Sequence, residues 1–587
     1  MKHDNDNQLK ATLGPVLLWG MGVGLVISGM YFGWNLGLAE GGTLGLAIAT
    51  GFIMLMYITF TFSYTELACA IPKAGGAFDY ADRALGRDMG FIGGMAQIIE
   101  FVFAPPAIAA AIGAYFHLYF PSVPTLAVAI AAYALFTMLN VLGVKLATTF
   151  ELVVTVLAVI ELLIFAGVTL PHFETANLTK NALPNGYSGA FAAIPFAIWF
   201  FLAIEGVANL AEETVNPQRN VLLGFGSAIF TLAMLCILTF LSAVGVDGWE
   251  SVVYPPGSTE PSDSPLPLAL SYVVGDNSFL YHLLITVGLL GLIASFHGII
   301  LAAGRATFEF GRIRYVTPVL GKVHPRFKTP ANALVANMLV GIIALLTGKT
   351  GEIITIACFG ALSLYIVSMV SLFVLRRREP ELERPFRVPL YPLFPAIALV
   401  IASVALVALV VYNVSIALIY FGILAVTYGY FYFFVKRKSI DNPAELSYRP
   451  ATSDDFEQTL RIKSRSLRPY IEQIWGWDDT VQRNIHQQEF APQNTHLLEV
   501  RNTVVGYVAT KEGEGDLWIS NILIDRDFQN QGLGSQVLTH LIDQARANNR
   551  TVGLRVLKVN ERAKALYQRL GFEVIGEDEL HFMMTKS

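Results

Sequence analysis

The feature that most constrains this chain is a succession of apolar stretches, each about 20 residues long, the length that crosses a hydrocarbon core as a helix. Twelve can be read, at 14–38, 43–70, 89–119, 124–143, 147–170, 190–212, 222–245, 279–309, 330–348, 351–375, 393–412 and 414–435. No soluble fold buries twelve such runs, so the expected architecture is an all-α polytopic membrane domain with twelve transmembrane helices. Charge divides the chain in the same place. Residues 1–438 hold 47 charged side chains and residues 439–587 hold 38. The first density is that of a membrane protein and the second that of a soluble domain. Neither part has the basic excess of a nucleic-acid binder, so the expected surroundings are a lipid bilayer and no nucleic acid.

Lys and Arg in the loops set the expected orientation. One set of ends carries Lys73, Arg83, Arg87, Lys145, Arg219, Arg312, Arg314, Lys322, Arg326, Lys328 and the cluster from Arg376 to Arg387. Lys2, Lys10 and Lys436 to Lys438 join that set, while the opposite loops carry only Lys180 and Lys349. This places both termini in the cytoplasm of a bacterial-type inner membrane and the loop at 246–278 outside. No cleavable signal is expected, because the apolar run after MKHDNDNQLK is too long for one. Cys69, Cys236 and Cys358 are scattered through apolar segments, which gives no disulfide framework and no metal pattern; no metal is expected.

After Lys438 the pattern changes. The expected domains are 1–438, a linker at 439–446, and 447–587. The last part alternates strand-like runs (HLLEV, TVVGYVAT, LWISNILI, TVGLRVL) with helical ones (QVLTHLIDQARA, ERAKALYQRL) and reads as an α/β domain.

Two membrane segments carry chemistry. The first span holds Ser28-Gly29 at its middle, where small residues either pack helices closely or mark a helix break. The sixth reads FAAIPFAIWFFLAIEGVANLAEETVNPQRN and holds Glu205 within the span, where an ionisable group is costly and functional by default. Two interrupted helices, five apart, are the signature of an inverted repeat.

These segments resemble the amino acid–polyamine–organocation (APC) permeases, along essentially all of residues 10–438. YTELACAIPKAGGAFDYADRALG, AEETVNPQRN, GRATFEFGRIRYVTPVLGKVHPRFKTP and LRRREPELERPFRVPLYP are similar to that family's signature stretches. ISGMYFGWN, FAPPAIAAAIGAY and FLAIEGVANLAEE further resemble the ethanolamine-permease branch. The resemblance implies a five-plus-five inverted repeat followed by two helices, with helices 1 and 6 unwound midway. The family's Gly-Ser-Gly falls on Ile27, Ser28 and Gly29, so its first glycine is replaced. Its Gly-Phe-Glu falls on Ala203, Ile204 and Glu205, with a glycine displaced to Gly206.

The implied substrate is a small amine or amino acid, and Trp199 would be an aromatic platform for its ammonium; the alternative is a packing or interfacial aromatic. In some proton-driven relatives a lysine stands where Ala158 stands here. Glu205, Glu161 and Glu100 are then the candidate proton carriers, because burial neutralises a carboxylate and exposure recharges it. Each could instead be a satisfied structural acid.

In the last domain, Gln529, Asn530, Gln531, Gly532, Leu533 and Gly534 follow a strand and open a helix, a geometry whose N–H groups cradle anions. With NERAKALY and LGFEV this resembles the GCN5-related N-acetyltransferases (GNATs) over about 446–586. The resemblance implies acetyl-CoA as cofactor, its diphosphate on residues 529–534, Asn560 lining it, and Tyr567 as the acid for the leaving thiolate. No motif identifies the general base: Glu472 and Asp478, in RPYIEQIWGWDD, are candidates to face the acceptor, and many enzymes of this kind reach the amine through water alone. The expected whole is a proton-coupled inner-membrane transporter fused to an N-acetyltransferase. Two other readings stay open: a transporter regulated by a non-catalytic acetyl-CoA sensor, and an acyltransferase with a permease-like anchor.

Overall fold

The computed structural model describes residues 13–73, 75–143, 148–436, 446–500, 503–513, 515–529 and 532–586. The polar start, Lys145, most of the linker, and Asn530 and Gln531 of the anion loop lie outside the described residues. The chain forms two compact units, Met1–Tyr432 and Phe433–Ser587.

The first unit is helical throughout: α1 (Pro15–Val26), α2 (Ser28–Tyr31), α3 (Leu36–Ala70), α4 (Ala77–Leu85), α5 (Arg87–His117), α6 (Thr125–Leu142), α7 (Thr148–Thr169), α8 (Thr175–Thr179), α9 (Gly186–Ala192), α10 (Ile194–Trp199), α11 (Pro217–Asp247), α12 (Trp249–Val253), α13 (Pro265–Val274), α14 (Phe279–Arg312), α15 (Ala331–Leu345), α16 (Thr350–Arg378), α17 (Leu393–Tyr412) and α18 (Val414–Tyr430). Among the described residues nine helices are long and apolar enough to cross a membrane, and a tenth arises if the pair bent by 43° near Ala193 is one span. The structure therefore yields nine or ten such spans by length and composition, where sequence suggested twelve. Among the described residues helix runs through most of each predicted stretch, but α1 is cut short at a break, the sixth stretch is broken after Trp199, and α15 has only 15 residues. Apolar side chains such as Met138, Ile160, Val407 and Leu418 stand uncovered on α6, α7, α17 and α18, as a lipid-facing rim requires.

The second unit is a seven-stranded sheet with helices packed on it. Its strands are β1 (Leu446–Pro450), β2 (Thr495–Val500), β3 (Thr503–Glu512), β4 (Asp516–Ile524), β5 (Thr551–Leu557), β6 (Glu573–Glu577) and β7 (His581–Lys586), in the order β1-β2-β3-β4-β5-β7-β6. Among the described residues only β4 and β5 are parallel, pairing from Asp516–Ile519 to Thr551–Leu554. Beyond that the two strands part, which leaves the last residues of β4 unpaired toward β5. The helices are α19 (Phe456–Ile471), α20 (Asp479–Glu489), α21 (Leu533–Ala547) and α22 (Glu561–Arg569). Val537, Leu538 and Leu541 bring the apolar side of α21 against Leu517, Ile519 and Leu554 of the sheet.

Candidate functional site

Helix 1 breaks at one residue. Ile27 separates α1 from α2 while keeping right-handed backbone angles. The Leu25 carbonyl accepts from the Ser295 hydroxyl of α14 at 2.6 Å. That uses the single Ser295 proton, so Ser28 is the donor in the 2.8 Å bond between the two serines. After Tyr31 the chain turns extended at Phe32 and left-handed at Gly33. Helix 6 breaks more deeply. α10 ends at Trp199, Ala203 stands at φ +75°, and a 3-10 stretch runs from Ile204. The two breaks press together. A Cβ at Gly29 would collide with the Trp199 carbonyl oxygen, and the indole lies edge-on to Phe32 with centroids 5.4 Å apart. The Trp199 Nε1 is buried and has no hydrogen-bond partner.

Of the three candidate acids the structure brings two together. Glu100 of α5 accepts from the Ala203 N–H at 3.2 Å through Oε1, so it caps the backbone freed by the helix 6 break. Its carboxyl and that of Glu205 face one another, and both are fully buried. Glu205 Oε2 accepts from Tyr365 at 3.0 Å, and Tyr365 is in turn 3.0 Å from Tyr57. With the Tyr365 proton committed to the acid, Tyr57 is the donor in that pair. Glu100 Oε2 and Glu205 Oε1 are buried, and the two carboxyls are each other's hydrogen-bond partners. The site is thus a buried carboxyl pair beside Ala203, whose φ is +75°. Sequence reasoning missed Tyr57 and Tyr365, whose signal was a hydroxyl inside an apolar span. Glu161 lies apart from the pair and binds Tyr31.

A second set of buried charges joins two of the signature loops. Glu66 of α3 receives Arg376 through two hydrogen bonds of 2.7 and 2.6 Å and the Val388 N–H at 2.7 Å, and Arg384 lies 3.3 Å away. Arg376 also sits 4.4 Å over the Tyr391 ring.

In the second unit Gly532 caps α21 with φ +79°, and nothing lies within 4 Å of where its Cβ would be. Such a turn admits a bulky anion against the N–H groups that open α21. Gln529 donates to the Ile524 carbonyl at 3.0 Å, which ties the loop to the free end of β4. Leu533 is a core side chain, so only its backbone is available to a ligand. A Cβ at Gly534 would be 3.6 Å from Leu566, an ordinary contact, so this position does not need glycine in the structure. Asn560 accepts from the Ala563 N–H at 3.1 Å and caps α22. Tyr567 is buried in the domain core beside Phe572, and burial pushes its phenol up to about 12. The two candidate bases are engaged: Glu472 pairs with Arg468 at 2.7 Å, and Asp478 caps α20 through Thr480 and Val481.

Residues 13–430 match the model of a family described as "Amino acid permease", and residues 458–572 match the "Acetyltransferase (GNAT) family". The chain is 27% identical over 409 residues to an uncharacterized transporter of Rhizobium meliloti (strain 1021), which covers 67% of this chain and 85% of that one. It is 26% identical to a branched-chain amino acid permease of Bacillus subtilis (67% and 87% covered) and 27% identical to a low-affinity putrescine importer of Escherichia coli (66% and 86%). Among solved structures, the PaiA N-acetyltransferase of Thermoplasma acidophilum in complex with coenzyme A is 13% identical, with a TM-score of 0.22, covering 24% of this chain and 99% of that one.

Proposed function

Because the chain belongs to the amino acid permease family across residues 13–430 and continues into a GNAT-family domain, we propose that it is a secondary transporter of a small amine or amino acid, joined to an acetyl-CoA-dependent N-acetyltransferase. The observation that carries the transport reading is the Glu100–Glu205 pair at the helix 6 break. Two buried carboxyls in contact cannot both be ionised at small cost, so the pair holds a proton. An arriving ammonium is compensated by the carboxylate that stays ionised while the other keeps the proton, so amine and proton can cross together. Trp199, beside the same break, gives the ammonium an aromatic face worth about 0.5–2 kcal/mol. The resemblance of ISGMYFGWN and FLAIEGVANLAEE supports ethanolamine as the first substrate to try. The Lys and Arg asymmetry supports an inner-membrane protein with both termini and the GNAT domain in the cytoplasm.

The residues of the second unit fit acetyl-CoA. The open turn at Gly532 and the first N–H groups of α21 suit a diphosphate, and the parted ends of β4 and β5 offer free backbone to an extended arm. The cofactor supplies an acetyl thioester when bound. Tyr567 keeps its proton throughout the neutral range. Because its phenol, at about 12, is a weaker acid than a free thiol of pKa about 8.5, it would donate a hydrogen bond to a departing sulfur rather than its whole proton. With Glu472 and Asp478 engaged, the amine loses its proton to water. The same engagement favours a second reading, an acetyl-CoA sensor without turnover.

The test is uptake in proteoliposomes. Ethanolamine and a panel of amino acids are offered to wild-type protein and Glu205→Gln, with and without an imposed pH gradient. The expected result is gradient-driven accumulation by the wild type, and exchange without accumulation in the variant. Normal proton-driven accumulation by Glu205→Gln would sink the coupling role.

A further inference from the structure

Ser262, Asp263 and Ser264 form a turn between α12 and α13, in the loop proposed to lie outside. The turn is held by its own polar groups. The Ser264 N–H donates to the Ser262 hydroxyl oxygen at 3.0 Å, and the Ser262 N–H donates to the Val253 carbonyl at 2.8 Å. Two other elements grip it at neighbouring residues. Asn35, fully buried, donates to the Ser262 carbonyl at 2.8 Å, and Thr350, the first residue of α16, donates to Asp263 Oδ2 at 2.9 Å. Asn35 also accepts from the Gly33 N–H at 3.1 Å, so the segment 32–35 after the broken first helix reaches the turn already folded.

The two elements joined in this way both border the helix 6 break. A Cβ at Gly33 would come within 2.6 Å of the Trp199 indole and 2.9 Å of Ile354 on α16. Further along α16, Cys358 donates to the Pro195 carbonyl and Tyr365 donates to Glu205. A solute entering between segment 32–35 and α16 must therefore part the grips on Ser262 and Asp263. Asp263 is half-buried, and among the described residues no cation pairs with it. Burial pushes its carboxyl up to about 6, against a smaller downward pull from the Thr350 hydrogen bond. The ionisable groups around it are otherwise engaged or turned out. Glu250 of α12 accepts from Asn181, Tyr254 leans on Trp249, Lys349 pairs with Glu352, and Glu260 of the same loop is exposed. Segment 32–35 and the first turn of α13 carry none.

We propose that the Ser262–Ser264 turn is a clasp over the outer substrate route, shut by acid on its own side of the membrane and released when Asp263 ionises. The proposal rests on the transporter reading and the orientation given above. Its direction follows from linkage. Shut, the carboxyl keeps its proton up to about 6; released into water, it returns to about 3.9. The shut form binds the proton more tightly, so acid favours it. At pH about 4 the shut-to-open ratio is about fiftyfold that at neutral pH. Above about 6 the shut form holds an ionised carboxylate away from water with one hydroxyl to compensate it, and opening becomes easier. The clasp lies apart from the Glu100–Glu205 pair and carries no coupling proton.

The experiment uses the full chain in lipid nanodiscs. Thr259→Cys, exposed on the loop, carries a maleimide dye, while the buried Cys69, Cys236 and Cys358 stay unlabelled. Dye anisotropy reports whether the loop is held. In this labelled parent it should be high in acid and fall with a midpoint near 6 as pH rises. Adding Asp263→Asn, which keeps the shape and cannot ionise, should hold the high value throughout. Adding Thr350→Val removes the bond that favours the charged form, so the midpoint should move up. An unchanged transition with Asp263→Asn, a parent without a transition, or a Thr350→Val midpoint that moves down overturns the clasp. Exchange of ethanolamine and the amino-acid panel is measured in proteoliposomes at equal pH on both faces. It should slow severalfold in the parent as pH falls through about 6, and vary less with Asp263→Asn. No exchange at any pH removes the transporter reading, while anisotropy still judges the clasp. Exchange that persists beside an unaltered Asp263→Asn transition removes the clasp alone.

Discussion

Ala203 shows what a single residue reveals only in three dimensions. The family's motif has glycine there, and in this sequence the glycine is displaced to Gly206, which left the exact position of the break open. The structure keeps the break at position 203, with alanine forced to φ +75°. A left-handed L-residue costs about 1–2 kcal/mol, because Cβ crowds the following carbonyl. Ala203→Gly is therefore expected to stabilise the detergent-purified protein by about 1 kcal/mol, less any entropy glycine returns to the unfolded chain. A thermal unfolding curve checks this; a lowered Tm would show that the alanine methyl is needed more than the strain is felt. The acids were legible because a carboxylate inside an apolar run is conspicuous. Their pairing was not, since Glu100 and Glu205 lie on separate helices and only the fold decides which acids meet. Tyr57 and Tyr365 stayed hidden because tyrosine in an apolar helix reads equally well as a core aromatic.

At the scale of elements, the sequence located helices well and their ends less well. The second predicted span began at 43, but α3 begins at Leu36 and turns through a kink at Gly42, whose φ is +66°. Periodicity cannot see that, because one glycine lets two helices run on as one. Strands β1, β6 and β7 were missed for another reason: they are short and half exposed, so their apolar signal is weak. The signature loops were recognised one by one, yet their mutual purpose appears only when Glu66 meets Arg376 and Arg384. Breaking a buried ion pair by removing one member leaves an uncompensated charge and costs about 3–5 kcal/mol. Glu66→Ala should lower thermal stability by that order and reduce the folded yield. Arg376→Lys should fall between it and wild type, because lysine keeps the charge and loses the two-pronged geometry. Equal melting of all three proteins would mean that α3 and the end of α16 are held by packing alone.

For the whole molecule, the division first seen in charge density returns as two compact units with separate interiors. The second unit has its own sheet and an apolar core centred on α21, so it needs no contact with the helical unit to fold. Residues 446–587 expressed alone should unfold cooperatively and bind acetyl-CoA. Gly532→Val should abolish that binding, since a β-branched residue resists φ +79° and fills the open space beside the turn. Gly534→Ala should bind nearly as the wild type does, because its added methyl meets only Leu566. Calorimetry separates the two variants, and equal affinities would show that the anion sits elsewhere. The same fragment then decides whether fusion has a chemical purpose. An amide made from an imported amine has lost the ammonium charge, so it no longer suits an acidic pocket such as Glu100–Glu205, and acetylation would make uptake one-way. If the amine that the full chain transports best is also the best acetyl acceptor of the fragment, transport and acetylation form one sequence. If neither that amine nor its metabolites are acetylated, the two units act on separate substrates and share only a chain.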